Sequence, residues 1–249
     1  MAESELVLRR LLASPDRLHA ILLSREKATR LHPTLARAGV TCPVYVAALP
    51  LISEIAGFHV HRGVLATGRR QAVSDLTVEA VFGTRRGTTP LTLVLAAGLT
   101  NVDNMGALFR NAAAFGVDGL ILDPTCCDPL YRKAIRVSMG HALSLPFAVS
   151  GAWPEALIRL REEWGMTLVA AEVTPEARPV VELPRSPRLG LVFGSEGEGL
   201  SDAVLGACDA ICAIPMAPGV SSLNVAVASA VFLYELGRGR GDKTAGNPA

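Results

Sequence analysis

The five cysteines of this chain, Cys42, Cys126, Cys127, Cys208 and Cys212, include no Cys-x-x-Cys spacing, which removes the zinc-ribbon and thioredoxin-like classes and leaves them as reduced, mostly buried thiols. Net charge is nearly absent: 24 Lys and Arg stand against 23 Asp and Glu, so nothing draws the whole molecule to a polyanion and any nucleic-acid contact must come from a local patch. The first residues are acidic and polar with no apolar run of the secretory kind, and the expected location is the cytoplasm. The most apolar late stretch, 220–236, is interrupted by Ser221, Ser222, Asn224, Ser229 and Glu235, too polar for a membrane span and better read as a buried helix. There is no Gly-Lys-Ser/Thr phosphate loop and no internal repeat.

What is present is a chain of 249 residues, half of them hydrophobic, enough to offset the ordering entropy of one ordinary domain and a smaller one. From Leu91 onward, apolar runs at 91–99, 119–123, 167–173, 189–194 and 210–215 alternate with helical patterns at 105–115, 129–138, 153–164 and 222–236. Continuous apolar strands separated by helices predict a parallel sheet covered on both faces. Residues 1–72 read as a smaller α/β unit, from a helix at 3–12 to a strand near 63–67. Residues 73–90 read as a flexible, turn-rich linker, 91–238 as the main domain and 239–249 as a disordered tail. The basic residues gather early: residues 1–75 hold ten Lys and Arg against six Asp and Glu, and four of the five histidines.

Ligands of such sheets bind beyond the carboxyl ends of the strands, which directs attention to three loops. The first, from Asn101 to Gly106, opens a helix carrying Arg110. Asn104 is read as the N-cap of that helix, a sufficient structural reason for an Asn. Arg110 has only Gly106, Ala107, Ala113 and Ala114 at helical neighbour positions, so no local carboxylate pairs with it, and a phosphate is a natural bidentate partner. The second loop, Gly194 to Leu200, places three glycines in six positions, in the reverse of a dinucleotide-binding spacing; Glu196 there reads equally as a solvated turn residue or a functional one. The third, Ile214 to Asn224, offers Ser221 or Ser222 as caps of the last helix and puts Asn224 in its first turn, where Asn is a poor choice. The small residues that follow imply close packing of another backbone or subunit. The Gly194 and Ile214 loops are expected at adjacent strand ends.

In order and spacing, Asn104-Met105-Gly106-Ala107-Leu108-Phe109-Arg110, Phe193-Gly194-Ser195-Glu196 with Gly199-Leu200, and Ile214-Pro215-Met216 with Ser222-Leu223-Asn224 resemble the three signature motifs of the SpoU/TrmH branch of the SPOUT RNA methyltransferases. The resemblance covers about Leu91 to Gly237, and Gly63-Val64-Leu65-Ala66 looks like the end of the ribosomal-protein-like RNA-binding domain that many members carry. It implies an α/β trefoil-knot domain with a parallel sheet, preceded by a small α/β RNA-binding domain, although knots are nearly absent from proteins. It implies a homodimer that transfers a methyl group from S-adenosylmethionine to a ribose 2'-hydroxyl without a metal. By motif position, Gly194, Ile214, Met216 and Leu223 would hold the cofactor, and Asn104, Arg110, Glu196, Ser222 and Asn224 would form the catalytic set. Asn111, where the family often has Thr, and His61-Arg62-Gly63, where His-Gln-Gly is common, depart from the pattern.

The separate, basic amino-terminal part favours ribosomal RNA of the large subunit over transfer RNA. A non-catalytic RNA-binding protein of the same fold is opposed by the five retained polar residues. A nucleotide-dependent oxidoreductase is opposed by the missing glycine fingerprint.

Overall fold

The computed structural model describes residues 1–87 and 90–238. The amino-terminal half comprises β1 (Ala2–Glu3), α1 (Glu5–Leu11), β2 (Leu18–Ser24), α2 (Arg25–Arg37), β3 (Val44–Ala47), α3 (Leu49–Ala56) and β4 (Val64–Gly68). Its four strands lie in the order β1-β4-β2-β3, with only β2 and β3 parallel. Ser4 and Ser24 start α1 and α2 by accepting the backbone N–H of Val7 and Lys27, the usual service of a serine at that position.

The carboxyl-terminal half begins with α4 (Val78–Phe82) and continues through β5 (Leu91–Ala96), α5 (Val102–Ala114), β6 (Gly119–Leu122), α6 (Arg132–Val137), β7 (Phe147–Val149), α7 (Glu155–Trp164), β8 (Thr167–Ala171), β9 (Arg178–Pro179), β10 (Arg188–Phe193), α8 (Asp202–Ala207), β11 (Ala210–Ala213) and α9 (Val225–Arg238). Seven strands form one sheet in the order β7-β6-β5-β10-β8-β11-β9, and every pairing in it is parallel. The expected strands and helices are all present. The sequence did not suggest β7, β9 or α8, because two to six residues carry too little periodicity to read.

Alternation along the strands splits the core in two. Val94, Leu120, Leu122, Val169, Leu191 and Phe193 face α5 and α9, while Leu93, Leu95, Ile121, Leu168 and Val192 face α4, α7 and α8. Phe109 of α5 is fully buried and meets Phe147 edge-on, with ring centroids 5.7 Å apart; Phe193 and Phe232 do the same between β10 and α9. These are favourable geometries for aromatic quadrupoles. Cys212 is buried, and burial pushes the Cys126 and Cys208 thiols up to about 12.

Two expectations about organisation need correction. The 73–90 segment is not a free hinge over its described residues: α4 buries Phe82 among the residues of the second core, Arg85 binds Asp118 and the Pro90 carbonyl, and Arg86 binds Glu163. Nor does the small core end at residue 72, because Ile135 of α6 belongs to it and Leu130 and Leu143 pack against it. Arg132 reaches Glu3 at 3.4 Å and lies over the Phe58 ring. Apolar positions on α6 were visible in sequence, but which neighbour they faced was not. The proposed tail, 239–249, lies outside the described residues.

Truncating Phe109 to Ala removes a side chain with no room for collapse in the middle of the larger core. Phe109→Ala should lower the unfolding free energy by about 3–5 kcal/mol, read from the urea midpoint at unchanged m-value.

Candidate functional site

The carboxyl ends of β5, β10, β8 and β11 carry the loops that the sequence singled out. The sheet order corrects one detail: β8 lies between β10 and β11, so the Gly194 and Ile214 loops are not on neighbouring strands. Glu172, the first residue after β8, joins the second loop to this centre by accepting the Leu200 N–H at 2.9 Å as well as that of Val173. Sequence reading had placed Glu172 inside a strand and missed it; a lone carboxylate closing the apolar run 167–171 was the available signal.

Local backbone chemistry sets the positions of the polar residues. Asn101, not Asn104, caps α5: its Oδ1 accepts the N–H of Asp103 at 2.8 Å and of Asn104 at 3.3 Å. Asn104 is thereby freed from capping and is buried, 6% exposed, in the first turn. Asn224 precedes α9 rather than sitting inside it, and it supplies the cap that Ser221 and Ser222 were expected to supply, with Oδ1 accepting from Ala226 at 2.9 Å and Val227 at 3.4 Å. Its other end, Nδ2, donates to Asn104 Oδ1 at 3.0 Å and to Glu196 Oε1. Three residues, one from each motif, are therefore linked through one carboxamide. Asn104 Nδ2 is buried and has no hydrogen-bond partner among the described residues. An unsatisfied buried donor is costly, and here it sits within the polar cluster.

Ile214, Met216, Ser222 and Leu223 line a cavity of about 80 Å³ together with Glu172 and Phe232. Its walls are apolar on the Ile214, Leu223 and Phe232 side and polar at Glu172 and Ser222. Its volume is below the several hundred Å³ usual for a cofactor site, and Ser222 and Leu223 on its outer side are exposed. Gly194 does not line it. The reason for a glycine there is close approach: a Cβ at 194 would stand 2.5 Å from the Gly199 backbone, where the loop returns on itself.

Arg110 is not brought to this cluster. The helix carries it about 9 Å along the axis from Asn104 and onto another face, where it is exposed and has no hydrogen bond or ion pair among the described residues. Asn111, the departure from the expected Thr, has a structural use: its Nδ2 donates to the Ala226 carbonyl at 2.6 Å and to Ser229 Oγ at 3.0 Å, tying α5 to α9. Ser229 is fully buried, so the small residues of α9 allow close packing within the chain. Among the described residues no group of three or more His, Cys, Asp or Glu is placed to hold a metal ion, and no helix is long and apolar enough to cross a membrane.

Comparison with known proteins places this geometry. The family model of the SpoU rRNA Methylase family matches residues 90–234, more than half of the chain. An uncharacterized tRNA/rRNA methyltransferase of Mycobacterium bovis is 39% identical over 241 residues, covering 94% of this chain and 79% of that one. The 23S rRNA (guanosine-2'-O-)-methyltransferase RlmB of Salmonella typhi is 32% identical over 235 residues, covering 91% and 93%. Among solved structures, the SpoU methyltransferase AviRb of Streptomyces viridochromogenes, in complex with AdoMet, shares the fold with a TM-score of 0.80 at 24% identity, over 96% of this chain and 89% of that one. With its motif residues gathered at one end of a parallel sheet and most of its length matched, the chain belongs to the SpoU rRNA Methylase family.

Proposed function

We propose that this protein is an S-adenosylmethionine-dependent methyltransferase of ribose 2'-hydroxyls in RNA, with ribosomal RNA of the large subunit as substrate. The observation that carries the reading is the hydrogen-bonded set Asn104–Asn224–Glu196 beside the Ile214–Leu223 cavity. The RlmB relative, matched over nearly its whole length, favours ribosomal over transfer RNA. In this reading residues 1–72 bind RNA, residues 91–238 carry the chemistry, and the chain is knotted near its carboxyl end.

Bound cofactor would supply an already activated sulfonium methyl, so the protein's task is alignment and management of one proton. Ile214, Met216 and Leu223 would hold the adenosyl group, and Gly194 would let the neighbouring loop turn back tightly beside it. Asn224 fixes the carboxylate of Glu196 and the amide of Asn104 at the mouth, and Asn104 Nδ2 is a ready donor for a substrate oxygen. Ser222 adds a hydroxyl. The hydroxyl proton released on methyl transfer would pass to Glu196, an RNA phosphate or water. Arg110 keeps its charge and acts by lowering the hydroxyl's pKa.

The separation of Arg110 from the cluster of its own chain gives the homodimer a purpose: Arg110 of one protomer serves the site of its partner. Exposed Val227 and Tyr234, one face of α9, together with exposed Val220 and Leu223, supply an apolar surface for that contact.

Three measurements test this. Offered purified ribosomal and transfer RNA with tritiated cofactor, the protein should label the ribosomal RNA; no label in either would overturn the enzymatic reading. Asn224→Asp keeps the helix cap but replaces the Nδ2 donor with a charged acceptor facing Glu196 and Asn104. It should fold normally and lose activity by on the order of a hundredfold or more. In a purified mixed dimer of Arg110→Ala and Asn224→Asp chains, one complete site is rebuilt if Arg110 acts across the interface, so about half of the wild-type rate should return. A mixed dimer as inactive as its parents would assign Arg110 to its own chain.

A further inference from the structure

The end of α1 and the segment 142–147 line a cleft of about 390 Å³ at the junction of the two halves. Arg10 and Arg17 line it with Ser14, Gln71 and Ser144, and the one carboxylate among the lining residues is Asp75. Elsewhere at this junction and on α1, arginines meet carboxylates: Arg9 and Arg30 bind Glu5, Arg70 binds Asp128, and Arg132 binds Glu3. The cleft arginines do not. Arg10 Nε donates to the Met139 carbonyl at 2.8 Å and its Nη2 to His141 Nε2 at 2.8 Å. A guanidinium only donates, so that imidazole nitrogen is the acceptor, and His141 is neutral with its proton on Nδ1.

The turn after α6 is shaped around this arginine. Met139 and Gly140 both have positive φ, 53° and 84°, and a Cβ on Gly140 would lie 2.8 Å from Arg10 Cδ. Helix α5 packs against the same turn. His141 is held below its ordinary pKa by burial first, then by the charges of Arg10 and Arg110. The side chain of Arg17 has no hydrogen bond or ion pair among the described residues. Arg10 and Arg17 bring two positive charges to a cleft with one carboxylate, which leaves room for a counter-charge.

We infer that this junction is an anion site for a phosphodiester of the RNA, gripped by Arg10 and Arg17 from the amino-terminal half. The inference rests on the RNA-methyltransferase reading above and adds to it the place where the backbone is held. Guanidinium groups suit a phosphate because two parallel N–H donors match two of its oxygens. Arg10 then has a double use: with Met139 and His141 it fixes the two halves, and its remaining donors face the cleft. A phosphate there would fix the path of the RNA backbone where the amino-terminal half meets the sheet domain.

The test uses the full chain and a fluorescent single-stranded RNA of about 20 nucleotides, with affinity measured against salt; each phosphate contact contributes about 0.7 to the slope of log K against log salt. Arg17→Gln and Arg10→Gln should each weaken binding several-fold and flatten that slope by about one contact. Arg17 makes no side-chain bond among the described residues, so a flattened slope in that variant does not come from loss of domain docking. Slopes equal to the wild type's in both variants overturn the site. Failure of the wild type to bind RNA overturns it too, and is told apart from failure of the broader reading by the methyl-transfer assay with ribosomal RNA.

Discussion

A single carboxamide, that of Asn224, is asked to satisfy four partners, and much of the site depends on its orientation. Its oxygen must face the amino terminus of α9, because two backbone N–H groups there have no other acceptor. Its nitrogen is thereby turned toward Asn104 and Glu196. The cap is thus not incidental to the chemistry: the backbone donors of α9 decide which end of the amide the neighbouring motifs see. A carboxamide separates its acceptor and donor on two atoms, so it accepts from the helix start with one and donates to the neighbouring motifs with the other.

The parallel sheet makes the convergence possible. Motif residues 104, 196 and 224 are far apart in the chain, but each follows a strand whose carboxyl end lies at the same edge, and the sheet order reverses between β5 and β10, where connections leave in opposite directions. Glu172 then bridges the loop after β10 to the strand beside it. A sheet of this kind, buried on both faces, has little freedom to shift register, so loops at its edge are held on a rigid base.

The sheet, its strands and the helices that cover it were legible because apolar runs and helical periods are strong where both faces are buried. Capping was misread at both helix starts. Two Asn residues three apart, Asn101 and Asn104, look alike in sequence, and only the backbone path shows which one precedes the helix; the serines before Asn224 posed the same ambiguity. Three of the five polar site residues, Asn104, Glu196 and Asn224, come together in one chain, Ser222 lines the cavity next to them, and Arg110 stands apart. Its environment of glycine and alanine correctly signalled a guanidinium without a local partner, but not which surface it would face. Glu172 and the Arg10–His141 contact were beyond reach, since they join residues of ordinary appearance across long stretches of chain.

The contacts between α1 and the α6 region also bear on how the molecule comes into being. Arg10 and Met139 are 129 residues apart, as are Glu3 and Arg132, and Ile135 fills part of the amino-terminal core. On the ribosome, the first helix therefore waits for on the order of ten seconds or more of synthesis before its partners exist. During that interval the small domain stands with an unfilled position in its core, and its completion is timed by the emergence of the enzyme half and not by its own sequence.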